Sequence, residues 1–144
     1  MHNKYWLVIA AGFSLFMAVC QAAIALSPAL AAYFQAPPEL LKNRLLLFVI
    51  GEGAALVLVV FALYALSGAG TIRRLPMLRF VLASISVLFL LRGLFIVLTV
   101  LEILGILTGK ILIQGVISHL VFLAAGIAYA VGTVLNWKAM RVRR

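Results

Sequence analysis

Glu52, Arg92 and His119 are the carboxylate, guanidinium and imidazole that this sequence sets inside long apolar runs. Glu102 stands at the end of one such run and Gln21 near the end of another. Charged groups in hydrocarbon are costly and normally face other helices or a water-filled cavity, where they pair or act. This set offers several chemistries. Glu52 and Arg92 can form a buried ion pair, with Gln21 and His119 as hydrogen-bonding companions that fix helix register. Arg92 can instead hold an anion in a polar pocket, with Glu52 as counter-charge. His119 or Glu52 can serve as general base, but the neighbouring hydroxyl of Ser118 is turned by about 100° around a helix and is no activated nucleophile.

Metal and redox chemistry find less support. His2 is the other histidine, at the opposite membrane face in the predicted topology, so a bis-histidine haem within one chain is excluded. His119 with Glu52 or Glu102 supplies too few ligands for a structural zinc, and neither metal nor cofactor is expected. Cys20 is the single cysteine, which rules out an intrachain disulfide and a Cys-x-x-Cys redox pair; it reads as a small buried hydrophobe. Gly51-Glu52-Gly53 and Gly68-Ala69-Gly70 read as helix-packing and helix-ending glycines, not phosphate-cradling loops.

The elements that must position these residues follow from composition. Of 144 residues, 67% are apolar and 10% charged, which excludes an ordinary water-soluble domain. A bilayer core of ~30 Å takes ~20 apolar residues in a helix. Four runs qualify, at about 5–26, 45–66, 80–101 and 112–135, leaving little chain for anything else. The expectation is an all-α integral membrane four-helix bundle, one domain over 1–144. Lys4 ahead of an apolar run and Ala29-Leu30-Ala31 resemble a signal peptide, but the run is too long for one and is expected to remain as a span.

The connections carry an uneven basic load. Lys4, Arg73, Arg74, Arg79, Lys138, Arg141, Arg143 and Arg144 lie on one side, and Lys42, Arg44 and Lys110 on the other. By the positive-inside rule both termini are cytoplasmic, in a bacterial inner membrane, with Trp6 and Trp137 at the inner interface. The net charge of +9 is then mainly a topological signal, not a nucleic-acid footprint, and Arg141, Arg143 and Arg144 also suit contact with anionic lipid. In the first outer connection Ser27 as N-cap and Pro28 at the first helical position predict a short interfacial helix running to Gln35. Pro37-Pro38-Glu39 predicts the start of another.

At ~1.5 Å per residue, Glu52 and His119 lie about 10 Å, and Arg92 about 14 Å, below the outer ends of their runs. Gln21 reaches the same layer. Ala11, Ser14, Ala18, Gln21, Ala22 and Ala25 share one helix face, a small-residue stripe suited to close packing. Arg92 and Thr99 share a face of the third helix, and Ser118, His119, Phe122, Gly126, Tyr129 and Thr133 one side of the fourth. Gly51 and Gly53 are expected to let a neighbouring backbone approach Glu52.

Small multidrug-resistance transporters have this size, but their essential acid lies in the first span, and Tyr5–Leu26 has none. The leading expectation is an accessory or scaffold subunit of a membrane assembly, packed on a membrane-protein partner or on itself, with Glu52, Arg92 and His119 as its polar core. Beside it stand a small transporter or ligand- or lipid-binding protein with an outward polar pocket, and a membrane enzyme acting on lipid or quinone.

Overall fold

The computed structural model describes residues 4–34, 36–106 and 113–140. Among them are six helices: α1 (Tyr5–Leu26), α2 (Pro28–Tyr33), α3 (Pro38–Lys42), α4 (Arg44–Gly68), α5 (Leu78–Ile103) and α6 (Ile113–Asn136). The four helices α1, α4, α5 and α6 are long and apolar enough to cross a membrane. Lys110, Gln35 and the tail Arg141, Arg143 and Arg144 lie outside the described residues.

Local chemistry sets the helix ends. Ser27 caps α2, its hydroxyl accepting from the Leu30 N–H at 3.4 Å, with Pro28 next in line as expected. Asn43 does the same for α4 by accepting from the Leu46 N–H at 3.1 Å. Gly70 takes φ +75, and the N–H groups of Gly70 and Thr71 close on the carbonyls of Ser67 and Leu66. This is a glycine stop that satisfies the last carbonyls of α4. Gly105, at φ +73, closes α5 in the same way onto Glu102 and Leu101.

Helices α1 and α4 form one close pair and α5 and α6 another. In the first, Gly51 sits directly on Ala25. In the second, a methyl group added to Gly93 would come within 2.6 Å of the Leu123 Cα, and one on Gly126 within 2.8 Å of the Leu90 nitrogen. Only glycine permits that backbone approach, which lets van der Waals packing hold helices where no hydrophobic force acts. Gly53 meets nothing, contrary to expectation, because it lies about 200° around the helix from Gly51.

The two pairs join at the end that carries the termini. Leu7 of α1 packs on Gly132 of α6, and Phe61 of α4 meets the ring of Phe89 of α5 at 5.8 Å. Tyr129 ties three helices: it donates to the Phe61 carbonyl at 3.0 Å and lies 2.7 Å from the Ser14 hydroxyl. A phenol has one proton, so Ser14 must be the donor in the second bond. Toward the opposite end burial continues on α1, α2 and α4, at Ala25, Ala31, Leu47 and Gly51, but stops on the other pair. The last buried residue of α5 is Gly93, and the first of α6 is Ala125. Beyond those positions the pairs diverge, and a cavity lies between them.

Candidate functional site

The cavity measures about 610 Å³ and is walled by the diverging halves of all four long helices, with Ala31, Phe34 and Leu40 of the α2–α3 connection across its end. Gln114 fastens this roof by donating to the Tyr33 carbonyl at 3.4 Å. Gln21 from α1, Arg92 from α5, and Gln114, Ser118 and His119 from α6 supply the polar part of the wall.

Arg92 is held on three sides. Its Nη1 lies 3.2 Å from His119 Nδ1, and its guanidinium stands 5.7 Å from the Phe95 ring and 5.4 Å from the Phe122 ring. Guanidinium only donates, so His119 must accept through Nδ1 and carry its proton on Nε2 as a neutral imidazole. Phe95 stacks on that imidazole at 6.2 Å. The fork is thereby oriented while its remaining N–H groups have no protein acceptor among the described residues.

Of the expected cluster, Gln21, Arg92 and His119 share this cavity, and Glu52 and Glu102 do not line it. The Glu52–Arg92 ion pair does not form: no salt bridge joins them among the described residues, and Arg92 bonds to His119 instead. The reason is helical phase. Ile50 and Gly51 line the cavity, and Glu52 is turned about 100° from Gly51 and about 200° from Ile50, onto another flank of α4. Glu102 stands ten residues beyond Arg92, outside the wall. His119 meets no carboxylate and Ser118 bonds to no imidazole among the described residues, so no general-base pair is assembled. No group of three metal-ligating side chains occurs among those residues either.

Three features escaped the sequence. Gln114 was hidden at the ragged start of an apolar run, although its type alone marked it as a polar contributor. The ring clamp on Arg92 could have been found, since Phe95 follows Arg92, and Phe122 follows His119, by one helical turn. Cys20 is exposed where a buried hydrophobe was expected, because no helix among the described residues covers that side of α1. At the other end, Arg79 lies over Trp137 at 5.2 Å, with Nε and Nη2 buried and without a hydrogen-bond partner among the described residues. No family model, curated protein or solved structure matches the chain.

Proposed function

We propose that this chain is a multi-pass protein of a bacterial inner membrane, both termini cytoplasmic, that binds a small anionic ligand in the cavity from the outer side. The observation that carries this is Arg92: an oriented guanidinium in a cavity of about 610 Å³ whose wall contains no acidic side chain. An uncompensated charge at that depth is costly unless water or an anion meets it, and a carboxylate or phosphate offers the two acceptor oxygens that a guanidinium fork matches. The volume falls in the range of ~300–1,000 Å³ usual for small-molecule sites. The uneven basic load supports the orientation, which puts the cavity at the outer leaflet. The scaffold reading loses the Glu52–Arg92 pair from its polar core, and the small-residue stripe of α1 that also favoured it is used in part within the chain, where Ala25 meets Gly51.

The test uses the full chain in phosphatidylcholine nanodiscs, titrated with hexanoate and with inorganic phosphate and followed by thermal unfolding. A hydrogen bond to a charged group contributes ~1.5–3 kcal/mol, so Arg92→Gln should weaken anion binding roughly 10- to 100-fold. Arg92→Lys, which keeps the charge and loses the planar fork, should fall between. Equal binding by wild type and both variants would refute the proposal.

A further inference from the structure

A second hollow, about 320 Å³, adjoins the first and runs between α1 and α6. Gln21, Ile24, Phe34, Gln114, Ser118 and Phe122 line both. Its character differs from that of the cavity. Away from the shared side chains it is built almost entirely of apolar groups, among them Phe16, Met17, Leu58, Ile117 and Val121. Met17 on the floor is buried, whereas Phe16 and Ile117 at the mouth are 60% and 56% exposed, so the groove opens sideways between the two helices. Polarity therefore falls along one path, from Arg92 through the Gln21, Gln114 and Ser118 junction into hydrocarbon.

We infer that the ligand is a single-chain anionic amphiphile, whose carboxylate or phosphate head sits at Arg92 and whose acyl chain lies in the groove between α1 and α6. This rests on the anion site proposed above and adds the tail. Charge selects the head, because Arg92 is the one formal charge in either wall among the described residues and the acids Glu39, Glu52 and Glu102 line neither. Size selects one chain: at roughly 30 Å³ per water-sized group, 320 Å³ holds on the order of ten such groups, a chain of medium length. The lateral mouth gives such a molecule a route from the bilayer that a wholly polar anion would not use. Since lipid tails are as apolar as the groove, the chain gains little by leaving the bilayer, and discrimination must come from the head.

Cys20, the only cysteine of the chain, lines the groove and not the cavity, and so reports on the tail alone. In phosphatidylcholine nanodiscs, the rate of Cys20 alkylation by N-ethylmaleimide would be followed beside thermal unfolding. Dodecanoate and dodecyl phosphate should slow alkylation several-fold, and hexanoate and dodecanol should not. Arg92→Gln should abolish the protection. Ile117→Trp, which fills the mouth, should lose the dodecanoate effect and keep the hexanoate response. If dodecanoate stabilises the protein through Arg92 while the Cys20 rate stays unchanged, the anion site stands and the tail assignment falls. Equal protection by dodecanol, or by anionic two-chain phospholipid, also overturns it. If no anion, short or long, acts through Arg92, the anion site itself is refuted.

Discussion

Arg92 owes its direction to aromatic neighbours and to one imidazole nitrogen, an arrangement that leaves its charge available. Each ring contributes about 0.5–1 kcal/mol of cation–π attraction where water reaches it, more where water is excluded. His119 acts on the ligand through Arg92 and is a positioning residue. His119→Gln keeps an acceptor and should retain hexanoate binding, whereas His119→Leu should weaken it several-fold with the unfolding midpoint of the empty protein nearly unchanged. Titration of both variants by isothermal calorimetry decides between this and a merely structural role, in which both would act through stability. Glu52 supplies the complementary case. Were it the counter-charge, Glu52→Gln would tighten anion binding; turned away from the cavity as it is, the same change should leave binding as in wild type. The common level of Arg92 and His119 on their helices is legible in the sequence, because rise per residue is fixed. Which residues pair is not, since Glu52 and Arg92 at similar depths can face different neighbours, and one step along α4 swings a side chain by about 100°.

At the scale of helices, termini are written in local chemistry and packing faces only in part. Ser27, Pro28 and Gly70 announce their caps from type and spacing alone. The end of α5 at Gly105 is harder to see, because the glycine stands alone between Leu104 and Ile106 with no polar cluster to mark a stop. Close approach is similarly half legible: Gly51 and Gly53 look alike in the sequence, yet only Gly51 faces Ala25. The consequence is measurable. Gly51→Leu and Gly126→Leu should each destabilise the protein by about 1–3 kcal/mol, the usual cost of overpacking. Gly53→Leu, which enters open space, should be tolerated in the same thermal unfolding series. Equal losses at Gly51 and Gly53 would contradict the α1–α4 packing.

Four long apolar helices follow from composition, but the division of the molecule into a joined half and an open half does not. It depends on where large residues meet. Leu7, Leu82, Phe89 and Tyr129 fill the space between the pairs near the termini. In the opposite half the cavity wall sets the small Gly115 and Ser118 beside Ile24, Leu47, Ile50 and Phe122, and it holds Arg92, whose charge needs water or an anion. Stability and binding should therefore separate. Tyr129→Phe removes the hydroxyl that accepts from Ser14 and donates to Phe61, and interhelical hydrogen bonds of this kind are worth about 0.6–1.7 kcal/mol. The variant should unfold at a lower temperature while its affinity for hexanoate, measured well below that temperature, matches wild type. Arg92→Gln should show the converse, an unfolding midpoint without ligand close to wild type and a lost response to hexanoate. If Tyr129→Phe instead reduces anion affinity as much as Arg92→Gln does, the two halves are one cooperative unit, and the cavity is set by the joint rather than by the side chains that line it.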